Sequence, residues 1–317
     1  MLRAREPKLL TAEQAEHMID APSFEDAAKT LTDLGYEDMS QMTAKEIERA
    51  LTMRREAIFA EIDRLCPDRG LADIFRLKYD YHNIKVIIKS EAAGTEAAGL
   101  MSASGRAEPS ELKRLYSEEQ YRYMPGKLGE AAEEAKGVLA RTANPQLSDF
   151  LLDRAYFAEL SGTAEDSGNE FLKGYVKILI DTANLKGIIR TLRMGKSRDF
   201  LEDVLVPGGK VHIREILSAD STEKILALYS RTGMEKICEA AEQAVSGGRL
   251  TEFEKACDNA VNSYIRLSRH VTYGSEPVAA YLASVENETT AVRMILTGKL
   301  AGIKSEILRE RLRDLYA

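Results

Sequence analysis

The chain contains no tryptophan and, in 317 residues, only 3 cysteines, 4 histidines and 8 prolines. Cys66, Cys238 and Cys257 are odd in number and have no C-x-x-C spacing. This excludes a disulfide framework and a zinc finger, and it fits a reducing cytoplasm. Long apolar runs are missing too, since V-I-I and I-L-I fall far short of the roughly 20 residues that cross a bilayer. The opening M-L-R-A-R-E-P-K is basic but has no apolar segment that would read as an export signal. There is no excess of positive charge: 51 acidic residues against 44 basic give −7, which argues against nucleic acid as a partner. Alternation of period two, the mark of half-buried strands, is scarce.

What is present is helix punctuation. Thr11 with Gln14, Thr43 with Glu46 and Thr251 with Glu254 each place a hydroxyl three residues before an amide or carboxylate, the pattern of a helix start. Ser23 with Asp26 and Asp220 with Glu223 are looser versions. Apolar residues between them recur every three or four positions, as in Ile47, Leu51, Ile58, Ile62 and Leu65. The chain therefore reads as all-α. Residues 92–110 are small and polar, the pattern of a turn or linker, and Pro207-Gly208-Gly209 forms a sharp stop after a helix starting near Asn169. With 44% hydrophobic residues and this length, two or three compact units are expected, and the breaks place them at 1–104, 105–206 and 207–317.

Each third carries one phrase. D-Y-H-N-I-K-V-I-I-K opens at Asp80, D-T-A-N-L-K-G-I-I-R at Asp181, and E-T-T-A-V-R-M-I-L-T at Glu288. Five residues after the acid stands a base, Lys85, Lys186 or Arg293; fourteen after it stands Gly94, Gly195 or Gly302. Apolar residues at −6, −3, +4 and +8 make one helical stripe, and the glycine suits a left-handed cap beyond it. Asn83 and Asn184 follow the first two acids by three residues, but Ala291 takes that place in the third copy. Arg76 and Lys177, four residues before the first two acids, are placed to pair with them along the helix face; the alternative is an acid that is partly buried and anchors neighbouring helices through hydrogen bonds with Asn83 or Asn184. The acids are expected to order helices, with an interface role as the alternative; the three bases face either anionic groups or solvent.

No residue pattern supports catalysis. Gly94-T-E-A-A-Gly99 begins like a phosphate loop, but Leu100-Met101 follows where Lys and Ser or Thr are required. Gly208-Gly209 lacks the G-x-G-x-x-G spacing, and there is no G-x-S-x-G elbow. His17, His82, His212 and His270 are scattered, and Glu13 with His17 reads as a surface pair rather than a metal site. Tyr116, Tyr121 and Tyr123 read as packing residues, with a contact patch as the alternative. Neither a metal nor a cofactor is expected.

The first two phrases, the P-G-G-K turn, E-P-V-A-A-Y-L, E-N-E-T-T-A-V-R-M-I-L-T-G-K-L-A-G and the ending L-R-E-R-L-R-D-L-Y resemble the C subunits of A-type and bacterial V-type ATPases, relatives of the eukaryotic V-ATPase d subunit. The resemblance runs from about residue 70 onward; residues 1–70 match only in helical character. It implies three similar helical modules around a pseudo-threefold axis, forming a funnel. It also implies a non-catalytic rotor component that links the central stalk, made of the D and F subunits, to the membrane ring of proteolipid subunits. Such a component transmits torque for ATP-coupled proton or sodium transport and sits at the cytoplasmic face of the membrane. A general helical-repeat adaptor and an all-α metal-dependent enzyme using the repeated acids are the competing readings.

Overall fold

A computed structural model describes residues 5–66 and 70–317, so part of the N-terminal octapeptide lies outside the described residues. The described residues form helices and turns, with no strand. In chain order the α-helices are α1 (Ala12–Asp20), α2 (Phe24–Lys29), α3 (Ala44–Leu65), α4 (Gly70–Ala93), α5 (Pro109–Ser117), α6 (Leu128–Thr142), α7 (Pro145–Asp166) and α8 (Glu170–Arg193). They continue with α9 (Leu201–Val204), α10 (Ile213–Ser218), α11 (Thr222–Ser230), α12 (Glu235–Val245), α13 (Leu250–Arg266), α14 (Glu276–Leu300) and α15 (Ser305–Arg311).

Two capping boxes form as the sequence predicts: Thr11 accepts from the Gln14 amide at 3.1 Å and Thr43 from the Glu46 amide at 3.4 Å, with the reciprocal side-chain bonds also made. Ser23 caps α2 through the Asp26 amide. Two expected starts are displaced. Thr251 lies inside α13, whose N-cap is Arg249, and Ser221 rather than Asp220 caps α11. A hydroxyl three residues before an acid is as compatible with a first helical turn as with a cap, so the motif alone does not fix the start. Asn169 caps α8 as expected, but that helix ends at Arg193, well before Pro207-Gly208-Gly209.

The chain divides into two compact units, one of residues Met1–Ala72 and Arg249–Ala317, the other of Asp73–Gly248. The first therefore joins the two ends of the polypeptide. Its core brings Leu10, Met18, Ile19, Leu31, Ile47 and Leu51 from the N-terminal helices onto Val292, Ile295 and Leu296 of α14, and Leu308 and Leu312 close it from the far end. Burying side chains of this size contributes about 1.5–3 kcal/mol each, so the ends hold together by core packing, not by a surface contact. Within the second unit α6 packs on α7, α7 on α8 and α11 on α12. Ion pairs Lys85–Asp153, at 2.6 Å, and Lys89–Asp149, at 2.5 Å, tie α4 to α7. The first two repeated phrases lie in this unit and the third in the other.

The apolar stripe of the phrase is the buried face of each repeat helix. Ile74, Leu77, Ile84 and Ile88 are buried on α4, as are Leu282, Val285, Val292 and Leu296 on α14. On α8 Ile178, Leu185 and Ile189 are buried, while Tyr175 is half-buried against Phe75, with ring centroids 5.8 Å apart. Each helix then ends in one way. Gly94, Gly195 and Gly302 have φ of +63°, +63° and +68°, and the next amide bonds back five residues: Thr95 to Ser90, Lys196 to Thr191 and Ile303 to Gly298, at 2.9–3.2 Å. That is the Schellman cap, for which glycine is suited because the left-handed conformation costs it nothing.

Candidate functional site

The repeated acids are buried: Asp80 and Asp181 are 0% exposed and Glu288 3%. A carboxylate in such a place is costly unless its oxygens are hydrogen-bonded. Each acid meets that need with a backbone amide one residue before a helix cap. Asp80 accepts from the Arg106 amide at 2.9 Å and the Ala107 amide at 3.4 Å, two residues before α5 begins. Asp181 accepts from the Lys210 amide at 3.0 Å and the Val211 amide at 3.3 Å, two residues before α10. Glu288 accepts from the Leu10 amide at 2.6 Å, two residues before α1. One carboxylate thus fixes the entry of one helix, three times.

Two glycines follow from the same contact. A Cβ on Gly105 would lie 2.2 Å from Asp80 Oδ1, and a Cβ on Gly209 would lie 2.2 Å from Asp181 Oδ1. The loop must be bare there to reach the acid. The asparagines complete the grip: Asn83 donates to the Ser102 carbonyl and accepts from its amide, both at 2.8 Å, and Asn184 does the same to Val206, both at 2.8 Å. Segment 92–110 runs in turns, most of it exposed, and is tied to α4 at Ser102, Arg106 and Ala107, with Ala97 and Ser104 buried.

The alternative of a buried, anchoring acid holds, but the partners expected for it are corrected. Asn83 and Asn184 bond to loop backbone, not to the acids, and Arg76 pairs with Asp73 at 3.3 Å, not with Asp80. Lys177 is exposed. The acids lie on the buried side of their helices, where the loop amides reach them.

The surroundings differ between copies. Arg106 bridges Asp80, at 2.6 Å, and Glu159 of α7, at 2.7 Å, and Glu159 also accepts from the Tyr81 hydroxyl at 2.9 Å. Glu288 accepts from the Tyr36 hydroxyl and faces the Arg54 guanidinium at 3.6 Å, which stacks 3.7 Å above the Tyr36 ring. Asp181, among the described residues, has its two amides as hydrogen-bond partners. Burial pushes all three carboxyls above the ordinary carboxylate range, and it raises the Tyr36 phenol well above its own.

The bases of the phrase also have protein partners. Lys85 pairs with Asp153 on α7 at 2.6 Å, and Arg293 donates to Glu48 on α3 at 2.8 Å. Lys186 is half-buried and makes an interaction of its own. Sequence reasoning missed Leu10, Tyr36, Arg54, Gly105, Arg106, Glu159 and Gly209. Only Gly105 and Gly209 offered a signal: each stands just before a basic residue, 25 and 28 positions beyond its acid.

Elsewhere the chemistry is sparse. Among the described residues no group of three His, Cys, Asp or Glu side chains is placed to hold a metal. None of the three cysteines is in a disulfide, and Cys238 and Cys257 are buried. Tyr116 is buried edge-on to Tyr121 at 5.9 Å, whereas Tyr123 is 60% exposed beside Arg122. Among the described residues no helix is long and apolar enough to cross a membrane.

The model of the ATP synthase (C/AC39) subunit family matches residues 1–311, which takes in the N-terminal segment that helical character alone had tied to it. The chain is 24% identical to the C subunit of the V-type sodium ATPase of Enterococcus hirae, over 100% of this chain and 97% of that protein. It is 27% identical to the C subunit of the A-type ATP synthase of Methanocaldococcus jannaschii, over 99% and 85%, and 25% identical to that of Thermococcus kodakarensis, over 98% and 87%. The chain belongs to the ATP synthase (C/AC39) subunit family, the C subunits of the A- and V-type ATPases, and is an accessory rather than a catalytic component.

Proposed function

We infer that this chain is the coupling piece between the central stalk, made of the D and F subunits, and the membrane ring of proteolipid subunits. In that place it transmits torque for ATP-coupled proton or sodium transport at the cytoplasmic face of the membrane. The reading includes three modules, 1–104, 105–206 and 207–317, arranged as a funnel around a pseudo-threefold axis.

The observation that carries it is the recurrence of the anchor. Each buried acid grips the amide that opens the next group of helices, and the third grips Leu10, so the last repeat helix closes on the first residues of the chain. A body that passes rotation between two partners must resist twisting, and joints locked by buried hydrogen bonds within close-packed helices suit that demand. Family membership supplies the machine in which such a body would act. In this reading Asp80, Asp181 and Glu288 are joint residues, and Lys85, Lys186 and Arg293 support neighbouring helices. The test is to mix the purified chain with a complex of the D and F stalk proteins. A stable co-eluting species is expected; its absence, under conditions that preserve the D–F pair, contradicts the proposal.

A further inference from the structure

The three joints are not equally permanent. At the first, the hydrogen bonds that Asp80 accepts among the described residues come from Arg106 and Ala107 of the gripped loop itself, and Asn83 pins the same loop at Ser102. At the second, the Lys210 and Val211 amides serve Asp181, and Asn184 pins the loop at Val206. Lifting either loop would strand a buried carboxylate and a buried asparagine together, at the full cost of unpaired buried groups.

The third joint is built otherwise. Glu288 accepts from the Leu10 amide, but it also accepts from the Tyr36 hydroxyl and faces Arg54, neither of which belongs to the segment it grips. Arg54 is itself held from elsewhere, donating to the Gly35 carbonyl at 3.1 Å and stacking on the Tyr36 ring. With residues 5–10 lifted away, Glu288 keeps a hydroxyl and a guanidinium. No asparagine is stranded either, since Ala291 stands at that position.

Residues 5–10 are fastened by the Arg5–Glu61 pair onto α3, by a long bond of 3.4 Å from the Tyr316 hydroxyl to Glu6, and by Leu9 and Leu10, which are buried. The Lys8 and Leu9 amides bond back to Arg5 and Glu6, so the turn moves as a piece, and Pro7 and Lys8 are exposed. Arg5, Lys8 and Leu9 line a cavity of about 310 Å³ together with Leu34, Ile58 and Tyr281. We propose that residues 5–10 form a releasable latch, which closes over this cavity in the ground state and lifts off Glu288 in a sparsely populated one. Release bares Leu34 and Tyr281, both buried when the latch is shut, while α3 and α14 stay packed through Ile47, Leu51, Val292 and Ile295. A segment opens by itself where its departure orphans no buried polar group, and that is what separates the third joint from the other two. The inference concerns this chain alone and stands or falls apart from the coupling role.

The test is native-state hydrogen exchange of the full chain, followed by NMR at the Leu10 and Val211 amides from zero to about 1.5 M urea, below the unfolding transition. Exchange at Val211 should rise about tenfold or more, because freeing it exposes much surface, while that at Leu10 changes less than about threefold. In Arg5→Ala, which removes a partly exposed pair, Leu10 should exchange about two- to fivefold faster with Val211 unchanged, and Glu61→Gln should do the same. Equal urea dependence of the two amides, or a Leu10 rate that Arg5→Ala leaves unmoved, would overturn the latch. Melting temperatures check that both variants fold, and the urea comparison on the wild type decides without them. Co-elution with the D and F stalk proteins tests the coupling role separately, so either reading can fail while the other stands.

Discussion

Asn184 offers the sharpest perturbation. It is 1% exposed and makes two bonds of 2.8 Å to the amide and carbonyl of Val206, itself 4% exposed. Replacing it by alanine leaves both backbone groups without a partner, and each buried group so orphaned costs about 1–3 kcal/mol. With partial entry of water the total is about 2–4 kcal/mol, or about 5–15 °C in melting temperature for a unit of this size. The third repeat supplies the control. Ala291 occupies the matching position, is 5% exposed and lies in the core of the first unit. There the gripped segment comes from the other end of the chain, and Ala291 packs among apolar side chains. Ala291→Asn should therefore destabilise, by about 1–3 kcal/mol, because it buries an amide with nothing to bond. Urea denaturation followed by circular dichroism, with native assembly checked by size exclusion, measures both. A loss under about 0.5 kcal/mol in Asn184→Ala, or a gain in Ala291→Asn, would refute the reasoning.

Other expectations follow from the same geometry. Gly209→Ala places a Cβ 2.2 Å from Asp181 Oδ1 and should cost about 1–3 kcal/mol as overpacking. In an Asp181→Ala background that cost should largely vanish, and a double-mutant cycle reading simple additivity would count against the contact. For pH, burial raises the Asp181 carboxyl above its unfolded value of 3.8, so the native state takes up its proton first as pH falls. Its stability contribution is complete below the unfolded value and is lost as pH rises through the raised one. The stability deficit of Asp181→Asn should accordingly widen on acidification from pH 8 toward pH 4, and a narrowing deficit in denaturant midpoints would show the opposite shift.

Much of this architecture was legible because it is local. Cap hydroxyls, the apolar stripe and the glycine after it all act within a turn or two of helix, so Thr11, Thr43, Asn169, Gly94, Gly195 and Gly302 could be placed from spacing alone. The anchors were not legible, because their partners are set by tertiary packing: Arg106 stands 26 residues from Asp80, and Leu10 stands 278 from Glu288. Helix periodicity can suggest only partners three or four residues away, which is why Arg76 and Asn83 were assigned to the acid. The small residues of 92–110 showed the turns but not the points where they are held. Smallness marks a turn but not that Gly105, Arg106 and Ala107 approach a buried carboxylate, which depends on the location of Asp80. The absent asparagine at Ala291 showed that the third joint is built differently, but not that the N-terminus completes it.

The central claim, that three buried acids lock the entries of three helix groups, is tested most directly by hydrogen exchange. The amides of Leu10, Ala107 and Val211 lie outside the helices, yet each bonds to a buried carboxylate. The account predicts that they exchange at least roughly a hundredfold more slowly than ordinary loop amides, and that Leu10 alone loses protection in Glu288→Ala. Exchange at loop rates for all three, or protection of Leu10 unchanged by that substitution, would contradict it.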